Sequence, residues 1–234
     1  MKKIISCVVL IAFLFSCTKD KKGNMLVKGS IDGLKKGTVY LHKMKDTLLV
    51  AVDSVKLNGD GNFILSDEVE SPEIYIISLD KMQSERIKFF GENGEISITS
   101  KVEKFATSAK IVGSQNQLKL DEHNEMARKF SGRELDLFKE KFEAQKVNDT
   151  ALLSKLLKEE KNLIKRKYYY TTNFAVVNSD FEAAPYLALT ELYNANVKLL
   201  DTINHSLTDK VKNSKYGKEL DKFIKERKEE ESNL

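Results

Sequence analysis

The sequence contains few residues that could carry redox or metal chemistry. It has two cysteines, Cys7 and Cys17, among 234 residues. The chain after Cys17 therefore has no thiol for a disulfide framework, a Cys-x-x-Cys redox pair, a nucleophilic thiolate or a zinc–thiolate site. The three histidines, His42, His123 and His205, fall in different predicted elements, and none has a second ligand at metal spacing. We expect all three to lie at the surface, and the sequence predicts no metal and no cofactor.

A strong charge of either sign and a long apolar run are also missing. The formal charge is +4 at pH 7, from 39 basic and 35 acidic residues. This near balance argues against nucleic acid as a partner. The longest apolar stretch, residues 4–15, is shorter than the about 20 residues that a membrane-spanning helix needs. A permanent transmembrane helix is therefore not expected there.

The first 24 residues have the pattern of an export and anchoring signal. Lys2 and Lys3 precede the apolar stretch, as in a cleaved secretory signal, and Leu14-Phe15-Ser16-Cys17 after it resembles the bacterial lipobox. We predict that residues 1–16 are removed by cleavage between Ser16 and Cys17. Cys17 then receives a diacylglyceryl group, whose two acyl chains hold a protein stably at a membrane, and residues 17–24 form a lipidated linker. The alternative is an ordinary secreted protein in which Cys17 is incidental.

Residues 25–113 have the pattern of short strands separated by turns. Asn58-Gly59-Asp60-Gly61 and Asn93-Gly94 contain the pairs whose positive φ angles tight hairpin turns need. We predict a hairpin at each, joining residues 48–57 to 63–65 and residues 86–90 to 95–99. Many short strands with turn residues between them predict an antiparallel β-sandwich or an open barrel.

Residues 114–234 have helical periodicity, so the predicted fold class is α+β. Ser114 and Gln117 form a capping-box pattern at the start of the first helix, and Asn148 or Asp149 can cap the second. Apolar residues recur at helical spacing. They are Leu118, Phe130, Leu135, Phe138 and Phe142 in the first helix, and Leu152, Leu153, Leu156, Leu157, Leu163 and Ile164 in the second.

Two later segments allow alternatives. Ser179 and Glu182 resemble a capping box, but Pro185 inside that helix would remove a backbone donor. We predict that the helix starts at Pro185 instead, because proline is favourable at a first helical position. Residues 218–231 are charged, with an apolar stripe of Leu220, Phe223 and Ile224. A solvated helix is favoured there over a partner-binding tail.

Three groups of residues suggest chemistry, and each has a simpler explanation. Asp53-Ser54 suggests a nucleophile beside an acid, but neither a base nor an oxyanion hole can be identified. Tyr168-Tyr169-Tyr170 suggests a stacking platform, yet consecutive helix residues point about 100° apart, so we expect at least one to pack in the core. A basic face, interrupted by Glu159 and Glu160, favours a solvated helix, with anionic lipid headgroups as the alternative contact. It comprises Lys155, Lys158, Lys161, Lys165, Arg166 and Lys167.

The order of several turn and core residues resembles a known domain. The segments are Gly29-Ser30-Ile31-x-Gly33, Gly37-Thr38-Val39-Tyr40-Leu41, Val52-Asp53-Ser54-x-x-Leu57, Gly61-x-Phe63, Pro72-x-x-Tyr75 and Val112-Gly113-Ser114-x-x-Gln117. Together they resemble domain of unknown function 4369, which precedes the thioredoxin module in TlpA/ResA-like thiol-disulfide oxidoreductase lipoproteins of Bacteroidota. Residues 174–179 and 214–220 resemble the helical part of the same proteins, with Ser179 where proline is usual.

The resemblance implies a lipoprotein of the cell envelope, at the outer membrane and facing the periplasm. The sequence reaches Leu234 about where the thioredoxin module would begin, so the family's redox residues have no counterpart in it. We therefore expect a non-catalytic binding or accessory module, with the membrane as partner through Cys17 and a thioredoxin-like lipoprotein as a candidate protein partner. One alternative is a surface-exposed ligand- or nutrient-binding lipoprotein, since Lys19-Asp20 faintly resembles an export signal. The other is a hydrolase that uses carboxylates and a histidine.

Overall fold

The first half of the structure is built from strands and the second from helices. The computed structural model describes residues 23–80 and 82–233, with only the backbone given for residues 82–84. The strands are β1 (Met25–Asp32), β2 (Lys36–Lys45), β3 (Leu48–Asn58), β4 (Asn62–Asp67), β5 (Glu73–Leu79), β6 (Met82–Gly91), β7 (Gly94–Lys101) and β8 (Lys110–Val112). The α-helices are α1 (Gln115–Lys146), α2 (Thr150–Val177), α3 (Ala183–Glu191), α4 (Val197–Ser206), α5 (Asp209–Lys212) and α6 (Lys215–Ser232). The predicted signal peptide, the cleavage site at Ser16 and the acylation site at Cys17 lie outside the described residues.

The strands form two four-stranded sheets with an apolar core between them. One sheet has the order β4-β1-β7-β8 and the other the order β3-β2-β5-β6. Buried side chains from both sheets meet in one cluster, among them Val27 and Ile96 from the first and Leu41 and Tyr75 from the second. The predicted fold class is confirmed, and of its two architectures the structure has the sandwich.

One pairing departs from the predicted antiparallel arrangement. β1 and β7 are parallel, with Met25 opposite Gly94 and Asp32 opposite Lys101, whereas the other described pairings are antiparallel. Parallel neighbours need a connection that returns the chain to the same end of the sheet. Here that connection consists of β2 to β6, which include the whole second sheet.

Both predicted hairpins are wrong, although the chain turns where predicted. β3 pairs with β2 in one sheet and β4 with β1 in the other, and β6 and β7 are likewise divided between the sheets. Gly59 and Gly94 do have positive φ, at 133° and 118°. An Asn-Gly pair favours a local reversal, but which strands pair is decided by the faces they bury. At both turns the chain passes from one sheet to the other.

Close packing around β1 requires glycine at two positions. A Cβ atom at Gly61 would lie 2.0 Å from the carbonyl oxygen of Ile31, and one at Gly29 would lie 2.0 Å from the Phe63 ring. The carbonyl oxygen of Gly61 accepts a hydrogen bond from the backbone nitrogen of Ile31 at 3.0 Å. These glycines therefore allow β4 to lie directly against β1.

Capping residues set the starts of the two long helices. Ser114 Oγ accepts a hydrogen bond from the backbone nitrogen of Gln117 at 3.0 Å, and Asp149 Oδ1 accepts one from that of Leu152 at 2.9 Å. Both predicted caps are confirmed. The Gln117 side chain does not complete a capping box, because its Oε1 accepts from the backbone nitrogen of Phe90 at 2.9 Å. Gln117 thus ties α1 to the edge strand β6.

The helix predicted to start at Pro185 starts earlier. α3 begins at Ala183, which makes Pro185 its third residue. The prediction was wrong because the first four backbone N–H groups of a helix have no intrahelical acceptor, so proline is tolerated there. The backbone nitrogen of Ala183 instead donates to Asn116 Oδ1 at 2.8 Å. A side chain from α1 therefore takes the place of a local cap.

The helices α1 and α2 form a long antiparallel hairpin, joined by residues 147–149. Its contact face is made of Phe130, Leu137 and Ala144 from α1 with Leu156 and Leu163 from α2. The predicted apolar stripes are correct for only some of their residues, because each helix covers one side of the other. Seven predicted apolar residues are exposed: Leu118, Leu135, Phe138, Phe142, Leu152, Leu157 and Ile164.

The predicted C-terminal helix is present as α6. Leu220 and Ile224 are buried and Phe223 is partly buried in a cluster shared with α2, α3 and α4. Its last turns are exposed, as expected of a solvated end. In the described part of the chain, no helix combines the length and apolar character that crossing a membrane would need.

Candidate functional site

A polar cleft opens where the helices meet the sandwich. Its volume is about 540 Å³, and its wall includes residues from the turn before β5, the turn before β7, the first turn of α1 and the segment just before α3. The charged side chains that line it are Glu70, Glu92, Asp180, Glu182 and Lys210, and its amides include Asn116. We call this the junction cleft.

Glu92 accepts hydrogen bonds from the first backbone N–H groups of α1. Its Oε1 accepts a hydrogen bond from the backbone nitrogen of Gln115 at 2.6 Å, and its Oε2 accepts one from that of Asn116 at 3.3 Å. A carboxylate there also complements the positive end of the helix dipole. Together with the Ser114 cap, Glu92 gives the first backbone donors of α1 their acceptors.

Asn116 connects three elements through one side chain. Its Nδ2 donates to Glu92 Oε2 at 2.8 Å and to Glu182 Oε2 at 3.0 Å, and its Oδ1 accepts from the backbone nitrogen of Ala183 at 2.8 Å. The residue is 3% exposed. An amide suits this position because it supplies donors to two carboxylates and an acceptor to a helix start at once.

Glu182 has one oxygen without a hydrogen bond. The side chain is 1% exposed, and its Oε1 has no hydrogen-bond donor among the described residues. The ammonium of Lys210 lies 3.4 Å from that oxygen, an ion-pair distance, on a side chain that is 74% exposed. A buried carboxylate oxygen with only an exposed counter-ion is costly unless a hydrogen-bond donor reaches it. The junction cleft can therefore accept a hydrogen-bond donor at Glu182.

The start of α6 binds the same end of the sandwich, at the turn before β5 and the first residues of that strand. Tyr216 Oη accepts a hydrogen bond from the backbone nitrogen of Ile74 at 2.9 Å, and Ser71 Oγ accepts one from that of Lys215 at 3.1 Å. Lys215 Nζ is paired with Glu73 Oε2 at 2.5 Å. Burial raises the pKa of the Tyr216 phenol well above its ordinary value, so its hydroxyl stays neutral. These contacts hold the helices against β5.

The predicted Asp53-Ser54 pair serves the sandwich. Asp53 Oδ1 accepts from the backbone nitrogen of Ser54 at 2.7 Å, and its Oδ2 accepts from that of Ser66 at 2.9 Å. Ser66 lies on β4, in the other sheet. A carboxylate with both oxygens bound to backbone amides is placed to join the two sheets and not to orient a base for a nucleophile.

The three histidines lie apart, and one of them is not at the surface. His42 Nε2 contacts Ser78 Oγ at 2.8 Å, and His205 Nδ1 contacts the carbonyl oxygen of Asp201 at 2.7 Å. His123 is 1% exposed, so its predicted surface position is wrong. Its Nε2 contacts Thr171 Oγ1 at 3.0 Å, because it lies on the face of α1 that packs against α2. Burial lowers the pKa of His123.

The three consecutive tyrosines do not form a platform. Tyr170 packs against His123, Phe130 and Phe174, with ring centroids 5.4 to 6.1 Å apart. Tyr168 is packed against the cluster of the C-terminal helices, and Tyr169 is 48% exposed. The expectation that at least one would pack in the core is confirmed.

The described residues bring no metal-binding set together. Among residues 23–80 and 82–233, no three His, Cys, Asp or Glu side chains are grouped so that they could hold a metal ion. In the junction cleft two carboxylates, Glu92 and Glu182, come near each other, and Asn116 Nδ2 donates a hydrogen bond to an oxygen of each.

Sequence reasoning did not single out Glu92, Asn116 or Lys210. It noted Glu182 only as part of a capping box, yet the Glu182 side chain makes no capping bond to α3. The one local feature of the sequence that indicates a buried Glu182 is its apolar neighbours, Phe181 before it and Ala183-Ala184 after it. A charged residue inside an apolar run is a candidate for a paired, buried position.

Comparison with known families identifies the sandwich. Residues 25–120 match the family model described as Domain of unknown function (DUF4369). A search of curated proteins and a search of solved structures gave no match. The matched segment takes in the eight described strands, the Ser114 cap and the first residues of α1, including Asn116 and Gln117. The β-sandwich with the start of α1 is therefore a DUF4369 domain, followed in this chain by a helical region.

Proposed function

We propose that the protein is a lipoprotein of the bacterial cell envelope, tethered by acylated Cys17 at the outer membrane and facing the periplasm. The support is the basic head, the short apolar run and the lipobox-like residues before Cys17. A secretory signal of this form is removed on export, and a diacylglyceryl group gives durable membrane attachment.

The tethered part acts as a non-catalytic binding or accessory module. Its DUF4369 domain resembles the part of thiol-disulfide oxidoreductases that lies outside their redox centre. Residues 18–234 contain no cysteine, so this part of the protein has no thiol chemistry of its own. The oxygens of Asp53 are bound to backbone amides, which favours binding over the hydrolase alternative.

The observation that carries the binding role is the buried oxygen of Glu182. It lines the junction cleft without a hydrogen bond among the described residues, and the exposed Lys210 is its counter-ion. A partner segment or small ligand with an N–H or ammonium donor can replace Lys210 there and gain a charge-assisted hydrogen bond. Binding would couple the sandwich to the helices, because Glu182 and Glu92 share the Asn116 amide.

The binding role is tested by photo-cross-linking in cells. A photoreactive residue in place of Lys210 should give a discrete adduct, whereas the same residue in place of the exposed Lys56, on β3 outside the cleft, should not. Adding Glu182→Gln should abolish the adduct, because it removes the negative charge and puts an NH2 donor in place of the free acceptor oxygen while the other oxygen still accepts from Asn116. An adduct that forms equally at both positions, or survives Glu182→Gln unchanged, contradicts the proposed binding site.

The tether and its leaflet are tested separately. Cys17→Ala should move the protein from the membrane fraction to the soluble fraction. Protease added to intact cells should leave the native protein uncut if it faces the periplasm, and digestion would instead support the surface-exposed alternative. Retention of Cys17→Ala in the membrane fraction would contradict the lipoprotein assignment.

A further inference from the structure

The helical hairpin exposes a row of large apolar side chains. Leu135, Phe138 and Phe142 of α1 are 54%, 65% and 51% exposed, and Leu157 and Ile164 of α2 are 44% and 38% exposed. We call these five residues the hairpin stripe. Scattered surface apolar residues need no explanation, but a contiguous exposed patch marks an interaction surface.

The five residues lie on one side of the hairpin. Phe138 and Leu157 each follow a buried contact residue, Leu137 and Leu156, and a helix turns about 100° per residue. Because the helices are antiparallel, equal rotations from their shared contact face bring both side chains to the same side. Phe142, Leu135 and Ile164 follow at spacings of three, four or seven residues, so they continue the row.

Two interhelical ion pairs agree with this assignment. Lys141 pairs with Glu160 at 2.6 Å. Each lies four residues after a buried contact residue, Leu137 or Leu156, and is therefore turned by about 40° from the contact face towards the stripe. Arg133 pairs with Glu159 at 2.6 Å on the other side. The hairpin therefore has two distinct sides, of which one carries the stripe.

Lysines border the stripe on the sides away from the helix contact. Lys139 borders it on α1, and Lys158, Lys161 and Lys165 border it on α2; all four are exposed and make no ion pair with a described residue. The acidic Asp136 and Glu140 lie on the opposite side of α1, where Glu140 binds Arg133 at 2.6 Å. The outer edges of the stripe are thus lined by lysines, whereas Glu134 and the Lys141–Glu160 ion pair lie between the stripe and the helix contact.

We propose that the hairpin stripe lies on an anionic bilayer surface. An interfacial helix buries its apolar face at the acyl boundary, while flanking lysines extend their ammonium groups to the headgroups. Anionic headgroups attract such a basic border. Pairing with a second copy across a two-fold axis would instead bring two lysine borders together, which opposes association.

The position of the tether favours the same contact, and this step rests on the proposed lipoprotein function. The described chain begins beside the first turn of α1, since Asn24 lines the junction cleft together with Gln115 and Asn116. A link of eight residues, from Cys17 to Asn24, spans at most about 28 Å. The start of α1 is thereby held within about 28 Å of the bilayer, and α1 can lie along the membrane surface.

A single tryptophan can report the contact, because the sequence contains none. The full protein carrying Phe138→Trp is reconstituted into vesicles of phosphatidylcholine alone or with phosphatidylglycerol, each with brominated acyl chains. On anionic vesicles the F138W emission should shift to the blue and lose most of its intensity. Leu48→Trp, at a 68% exposed position of the sandwich, is the matched control and should show neither change.

Two charge-reversal pairs that change the net charge of the protein by the same amount test the lysine border. Lys158→Glu with Lys165→Glu should abolish the quenching of F138W, whereas Lys155→Glu with Arg166→Glu, on the other side of α2, should leave it intact. Equal loss in both pairs, or equal F138W emission on neutral and anionic vesicles, overturns the proposal. A blue shift that depends on protein concentration without lipid would do so as well, in favour of a second copy.

The same samples separate this proposal from the tether. Flotation with neutral vesicles reports whether acylated Cys17 anchors the protein. The difference between F138W and L48W on anionic vesicles reports the stripe alone. A protein that does not float with neutral vesicles would contradict the tether. The quenching of F138W on anionic vesicles would still show whether the hairpin stripe contacts the bilayer.

Discussion

Asn116 Nδ2 lies 3.0 Å from Oε2 of Glu182, and this contact joins the first turn of α1 to the start of α3. The same nitrogen lies 2.8 Å from Glu92 Oε2. Two carboxylates that share a buried site repel each other unless a donor lies between them. Asn116 is that donor, so the junction cleft depends on an uncharged amide at this position.

Replacing that amide by a carboxylate should destabilise the fold. Asn116→Asp keeps an acceptor for the backbone nitrogen of Ala183 but places a third carboxylate against Glu92 and Glu182. We expect a loss of about 3 kcal/mol in the free energy of unfolding, measured with urea. Asn162→Asp, at an exposed position of α2, should change it by less than about 0.5 kcal/mol. Similar losses in the two variants would contradict the role of Asn116.

Removing the hydroxyl of Tyr216 should loosen the contact between α6 and the sandwich. Tyr216→Phe leaves the backbone nitrogen of Ile74 without its acceptor, which should cost about 1–3 kcal/mol of unfolding free energy. Hydrogen exchange at the Ile74 amide should become faster than in the parent protein. Tyr193→Phe, at a 60% exposed position, is the control and should leave both measurements unchanged.

Stability should fall as the pH decreases below about 6.5, the ordinary histidine pKa. Burial lowers the pKa of His123 in the folded state, and burial with Arg86 lowers that of His42. The unfolded chain therefore binds more protons in this range, and each histidine contributes a slope of at most about 1.4 kcal/mol per pH unit. The loss begins near pH 6.5 and continues downward until the folded-state histidines also protonate.

The contribution of His123 can be isolated by substitution. Urea unfolding of His123→Gln between pH 7 and pH 5 should show a shallower decline than the parent, while His205→Gln should keep the full decline. An unchanged slope in His123→Gln would show that the buried imidazole does not link protonation to folding.

Neighbouring residues on α1 should respond differently to truncation. Leu137 is fully buried and Phe138 is 65% exposed. Leu137→Ala should lower the unfolding free energy by about 2–5 kcal/mol through lost burial and a cavity, whereas Phe138→Ala should change it by less than about 0.5 kcal/mol. A large loss for Phe138→Ala would mean that the stripe belongs to the core and is not a free surface.

Local signals in the sequence predicted the elements better than their partners. Ser114 and Asp149 were identifiable because a helix cap acts on backbone groups within three residues. Asn93-Gly94 identified a turn, but β7 pairs with β1, almost seventy positions earlier in the register. That pairing depends on which faces the whole sandwich buries, and no short stretch of sequence encodes it.

The junction cleft could not be predicted from short stretches of sequence either, because its residues lie far apart in the chain. Asn116 contacts Glu92 from 24 positions away and Glu182 from 66 positions away. Each residue alone has the appearance of an ordinary surface polar residue. The apolar pattern likewise showed that Phe138 and Phe142 share a helix side, but only the position of α2 shows that this side is left exposed.

The N-terminus of the mature protein tests the central claim most directly. Mass spectrometry of the N-terminal peptide from membrane-extracted protein should show a chain that begins at Cys17, with a mass increased by a diacylglyceryl group. Cys17→Ala should abolish this species. A mature chain that begins elsewhere, or that keeps residues 1–16 with an unmodified Cys17, would contradict the account.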